Sequence, residues 1–121
     1  MSDTPETLTS AGVSKAPLMY GSWTSDTTPS DHTITCPVHV AFVFMVIDSG
    51  GTNPNLLIKH ISETNETYLL DGGGTQALAT SPADSSGITV TNNATGTCTI
   101  LVDSVGQVAS GTNQWFAIAK A

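Results

Sequence analysis

The sequence contains no arginine, and its three lysines, Lys15, Lys59 and Lys120, are scattered. Ten Asp or Glu residues therefore set a formal net charge of −7. Neutralising phosphates takes clustered cations, so nucleic acid is not an expected partner. The same shortage argues against nucleotides and against a membrane surface. No apolar run approaches the roughly 18 residues of a spanning helix. The opening Met1-Ser2-Asp3-Thr4-Pro5-Glu6 lacks both the basic region and the apolar stretch of a Sec leader. Without an export route, Cys36 and Cys98 are expected as reduced, partly buried thiols. A bridge is the alternative, because their 62-residue separation suits an inter-sheet disulfide of an immunoglobulin-like sandwich. In such domains the Trp follows the first Cys, whereas Trp23 precedes Cys36. By the same reasoning the sequons Asn65-Glu66-Thr67 and Asn93-Ala94-Thr95 read as turn residues.

What the chain does have is 32 Ser or Thr and 11 Gly in 121 residues, a mixture of strand and turn formers. Residues 1–17 are polar and aperiodic, with Leu8 and Val13 as isolated apolar points, and read as an extended N-terminal arm. Residues 18–121 read as one domain of short strands. The expected strands are 18–24, 31–36, 38–47, 55–61, 66–70, 87–92, 96–103 and 114–120. Segment 75–80 (TQALAT) is the one weak helical candidate, a single turn at most. About eight strands at this spacing predict an all-β antiparallel sandwich, of jelly-roll or immunoglobulin-like kind.

Segment 38–47 (VHVAFVFMVI) is apolar on both faces from residue 40 onward. A sandwich strand needs only one apolar face. The second needs a cover: the other sheet's edge, the arm, or a neighbouring subunit. Residues 114–120 show the same doubling, with Trp115, Ala117 and Ala119 opposite Phe116 and Ile118. Two such strands predict an assembling protein. Leu8, Val13, Leu18, Met19, Tyr20, Val43 and Met45 are the expected contacts with a partner or subunit.

Motifs for chemistry are sparse. There is no G-x-S-x-G elbow and no S-x-x-K. Cys36 has no flanking cation to activate it. His39 reads as a half-buried structural histidine, and His32 and His60 as surface or cross-strand residues. Zinc spacings are missing, and Asp48, Asp71 and Asp103, each followed by Gly within three residues, read as turns rather than calcium loops. A carboxylate pair for hydrolysis has no positive sign. No cofactor, no metal and no enzymatic activity are expected. Trp23 and Tyr68, in polar surroundings, either stack on sugar faces or, for Trp23 with Trp115, plug the sandwich ends.

Residues 21–47, GSWTSDTTPSDHTITCPVHVAFVFMVI, run from a Gly-aromatic-Thr opening through a polar hairpin and a T-I-T strand to a Pro and a strongly apolar strand. This layout resembles a pattern in structural proteins of tailed bacteriophages. NLLIKHI at 55–61, GITVTNNATGTCTILVD at 87–103 and QWFAIAKA at 114–121 extend it over roughly residues 20–121. Thr35-Cys36 stand where a glycine and an aromatic often precede the Pro. The resemblance implies a β-sandwich virion module, and one carrying only a short arm is similar to capsid decoration (cement) proteins. It further implies the major capsid protein as partner, a homo-oligomer such as a trimer, assembly in the host cytoplasm and residence on the outer capsid surface. Its alternatives are a host-glycan receptor-binding module of a fibre or head spike, served by Trp23, Tyr68 and loops 24–31 and 71–75, and a tail or neck component.

Overall fold

Strands form here because β-branched and aromatic residues alternate with polar ones between turn-forming segments. The computed structural model describes residues 17–52, 54–61, 66–70, 78–82 and 87–120. Within them run β1 (Leu18–Thr24), β2 (His32–Cys36), β3 (Val40–Ile47), β4 (Asn55–His60), β5 (Glu66–Leu70), β6 (Leu78–Pro82), β7 (Ile88–Asn92), β8 (Cys98–Val102) and β9 (Thr112–Ala119). Among the described residues there is no α-helix, only a 3₁₀ turn at Ser104–Gly106. The larger sheet has the order β1-β9-β3-β4-β5-β6 and the smaller the order β2-β8-β7, with every pairing antiparallel. The chain is an antiparallel β-sandwich. Residues 1–16, with Leu8 and Val13, and loop 71–75 lie outside the described residues.

The expected strands recur within a few residues of their ends, with one addition. Residues 78–82, partly assigned above to a helical turn, form β6 and pair with β5 from Glu66↔Pro82 to Leu70↔Leu78. A short segment with little alternation of its own takes the conformation its hairpin partner offers.

The core lies between the sheets. Val40, Val43, Met45, Ile47, Leu57 and Ala117 meet Ile34, Cys36, Ile88, Cys98, Ile100 and Val102, and Met19, Trp23 and Trp115 pack at its margins. Each fully buried aliphatic contributes on the order of 2 kcal/mol. Gly21 faces Trp115 across the β1–β9 pair, and a Cβ there would come within 2.5 Å of the indole nitrogen. Any larger residue at 21 has to displace Trp115.

Residue parity left open which face of β3 turns inward. Val43 and Met45, expected at an interface, are fully buried between the sheets. Register explains the correction. Val43 pairs with the small Ala117 and Met45 with Trp115, and these are the inward residues of β9. Val40 pairs with Ala119 but Phe42 pairs with Ile118, so two residues of β3 oppose one of β9. This bulge at Ala41 reverses the phase, turning Val40 and Val43 inward and Phe42 and Phe44 outward.

Asn92 of β7 holds the bulge from the other sheet. Its Oδ1 accepts from Val40 N at 2.8 Å, and its Nδ2 donates to Val40 O at 3.0 Å. Replacing Asn92 with alanine removes both bonds, so Asn92→Ala is expected to cost about 2–3 kcal/mol. Urea unfolding monitored by tryptophan emission checks this, and an unchanged midpoint would deny the clamp its role.

Candidate interaction surfaces

The outer face of the larger sheet carries two apolar rows. One runs Leu18–Ile118–Phe42 and ends at His60; the next runs Tyr20–Phe116–Phe44–Ile58. Tyr20 is 74% exposed and Leu18 59%, while Phe44, Phe116 and Ile118 stay between 37% and 43% exposed. The Phe42 ring tilts against Phe44, with centroids 5.0 Å apart, and against His60 at 5.9 Å. The smaller sheet differs. Thr33, Thr35, Thr89, Thr91 and Thr99 cover its outer face, with Leu101 the one large apolar residue among them.

Of the residues expected at an interface, Leu18 and Tyr20 lie on this apolar face, whereas Met19 turns inward and packs against the core. Phe44, Phe116 and Ile118 share this exposed face and were not among the residues expected there. The doubled strands announced them, but only the register shows which of the two faces is outermost.

Polar chemistry gathers at one end of the sandwich, where loop residues 25–31, 48–52 and 103–111 meet. Asn113, fully buried, donates from Nδ2 to Ser25 Oγ at 2.8 Å and accepts from Asp48 N at 3.0 Å. Asp48 itself has φ of 57°, the left-handed conformation that short polar side chains tolerate in turns. Gln107 links three segments: its Oε1 accepts from Trp23 Nε1 at 3.2 Å and Ser25 Oγ at 2.9 Å, and its Nε2 donates to Ser30 O at 2.8 Å. Asp31 Oδ1 caps the 3₁₀ turn by accepting from Ser104 N at 2.9 Å. Together Trp23, Asp26, Asp31, His32 and Gln107 help to line an open polar pocket.

Trp23 does not present a free ring. It stacks on His32 with centroids 4.3 Å apart and planes 8° from parallel, and its body packs against the core. One ring face is thus unavailable to a sugar. Tyr68 belongs to β5, and its side chain lies outside what the structure describes. Among the described residues, no three His, Cys, Asp or Glu side chains gather as metal ligands would.

The opposite end holds His39, His60 and Lys120. His39 Nε2 lies 2.7 Å from Asn93 O, which can only accept, so the ring proton sits on Nε2. Pro17, where the described chain begins, accepts from Ala119 N at this same end.

Cys36 and Cys98 are free, buried and in register on adjacent strands of one sheet. They are not placed across the sandwich, so the immunoglobulin-type inter-sheet bridge is excluded by topology. Burial raises both thiols. Cys98 reaches about 11, with Cys36 beside it adding to the shift and backbone contacts from Val40 and Thr91 pulling against it.

Two pH effects follow from these environments. Unfolded thiols ionise near 9.0 while Cys98 stays protonated to about 11, so stability is expected to fall as pH rises through that window. Urea midpoints across the window check this, and a Cys36→Ala/Cys98→Ala double variant should show a flatter profile. Burial lowers His32 below 6.5. The unfolded chain therefore takes up that proton first, and the His32 contribution is lost as pH falls through its folded pKa. Protonation is expected to change Trp23 emission with a midpoint below 6.5, a transition that His32→Gln should abolish.

No protein-family model, curated protein or solved structure matches the chain.

Proposed function

We propose that the chain is a non-enzymatic structural protein of a tailed-bacteriophage virion that binds and stabilises the outer surface of the capsid. The reading begins in the sequence pattern of residues 21–47. The observation that carries it further is the polarity of the sandwich. The N-terminal segment joins β1 at Pro17, at the end that also holds Lys120, His39, His60 and Glu66, whereas Asp26, Asp31, Asp48 and Asp103 lie in loops at the far end. A decorating protein needs such an axis, with one end anchored on the shell and the other in solvent.

Residues 1–16 then serve as the anchor, adding to an exposed sheet edge of the major capsid protein. Repetition over the lattice lets a modest contact hold by avidity. Ligand that binds the assembled shell and not its dissociated subunits stabilises the shell by mass action.

The test is co-sedimentation with capsids purified from phage lacking this protein. Saturable binding is expected. Deleting residues 2–16, which spares the Pro17–Ala119 bond, should weaken it about tenfold or more without changing the unfolding midpoint. Equal binding by the truncated chain sinks the anchor, and absence of binding by the full chain sinks the capsid role.

A second reading, a host-glycan receptor module, draws on the pocket where Asp26, Asp31, His32 and Gln107 converge beside Trp23. Carboxylates and an amide around an aromatic suit sugar hydroxyls. Glycan-array binding that Asp31→Ala abolishes, by a chain that ignores capsids, would decide for it.

A further inference from the structure

We propose that the outer face of the larger sheet pairs with the same face of a second copy of this chain, about a two-fold axis. This goes beyond the capsid reading and does not rest on it.

The molecule contains its own comparison. The smaller sheet shows how this chain builds a face for water, namely with threonines. On the larger sheet the equivalent positions are Leu18, Tyr20, Phe44, Phe116 and Ile118. Together they leave on the order of 500 Å² of apolar surface, at the upper end of what a monomer exposes in one patch. With the half-buried residues around them, this approaches the roughly 800 Å² per partner of a standard interface.

Charge selects a second copy as the occupant. Two chains at −7 repel unless their contact is itself free of charge. β1, β9, β3 and β4 bring no charged side chain to this face, because Lys59 turns inward with Leu57, and Glu66 of β5 stands beyond these four strands, level with His60. Charge also selects the axis. A two-fold lying across the strands keeps the two acidic loop ends apart and sets each against the partner's other end, where Lys120 offsets Glu66 of β5. A two-fold along the strands would instead bring the acidic ends together.

The face is self-complementary in shape and in hydrogen bonding. Tyr20 projects furthest, and beside it lies a shallow groove lined with Ser22, Gln114 and Phe116. A buried tyrosine hydroxyl needs a partner. Ser22 and Gln114, in register with each other, supply one from the opposite copy. An isologous contact requires that knob and socket lie on the same patch. Residues 1–16 are a poor cover by comparison. Met1, Leu8 and Val13 are their only large apolar side chains, interspersed with Asp3, Glu6 and Lys15.

Sedimentation velocity and light scattering on the full chain test the pairing. The expected mass is twice the 12.5 kDa chain. Tyr20→Ser and Phe116→Ser should each weaken the dimer by about a thousandfold, since the two-fold uses every side chain twice. Leu101→Ser, on the threonine face, should leave it intact. The wild-type mass is decisive even if a variant fails to fold: a monomer at about 100 μM, a range where specific homodimers form, overturns the proposal. So does a trimer, or a dimer that survives both substitutions. A monomer that dimerises only after residues 2–16 are removed also overturns it, by assigning the cover to that segment. A dimer that ignores capsids defeats the decoration reading alone, and a monomer that binds them defeats this one alone.

Discussion

The bulge at Ala41 is the constraint on which the rest of the sandwich depends. β3 is apolar on both sides, so hydrophobicity by itself would accept either face inward. One extra residue lets Val40 and Val43 both reach the core while Phe42 and Phe44 turn out. A slip of one residue would exchange the two sets. The bulge in turn needs a partner for the backbone groups it displaces, and the Asn92 carboxamide meets both polar groups of Val40. Because Asn92 comes from the smaller sheet, the same two bonds fix the register of β3 and tie the sheets together.

Polar ties at the two ends complete that arrangement. His39 and Asn93 join the sheets near the bulge, and Gln107 with Asn113 does so at the loop end. Gln107 and Asn113 do this with carboxamides, which carry no charge. Hydrogen-bonded amides meet the demands of buried backbone without the desolvation penalty of buried ions. A chain with so few cations could not pair many buried carboxylates, and it keeps Asp26, Asp31, Asp48 and Asp103 in loops instead. The four loop aspartates at one end are thus a result of how the interior is built, and they outnumber the single Glu66 that the described strands place at the other.

Much of the architecture was legible in the sequence because turn residues and alternation are local properties. β1 and β5 were readable to the residue, and the doubled apolarity of β3 and β9 was visible as a pattern. What was not legible is what depends on partners. Val43 and Met45 were mistaken for surface because parity is symmetric until β9 supplies Ala117 and Trp115 on one side. β6 was missed because its strand character comes from β5. Cys36 and Cys98 are the free thiols expected, and the alternative their separation left open, a bridge between sheets, fails because both strands belong to one sheet, a fact of topology that spacing does not encode. Trp23 could stack on a sugar or plug a sandwich end, and it packs against the core as the second reading has it, with His32, nine residues on, covering one ring face.

The same distinction separates the two proposals. The capsid reading draws on the segment that joins β1 at Pro17 and on the axis running from it. The pairing of copies draws on the sheet face alongside that axis. One uses an end and the other a side, so the two contacts do not compete for surface. The pairing does constrain the anchoring. A two-fold across the strands points the Pro17 ends of two copies in opposite directions, so only one arm of a pair reaches a given shell surface directly. The other arm must run back along its partner or reach a second site. The number of arms engaged per dimer therefore relates the symmetry of the pair to the stoichiometry on the shell. One shell site per dimer is the geometry's direct consequence, whereas two require the far arm to span the length of a strand. β1 covers seven residues, roughly 23 Å at strand rise, and sixteen extended residues reach about twice that distance. Length permits both arms to engage, so the choice between one site and two falls to what the arms meet on the lattice.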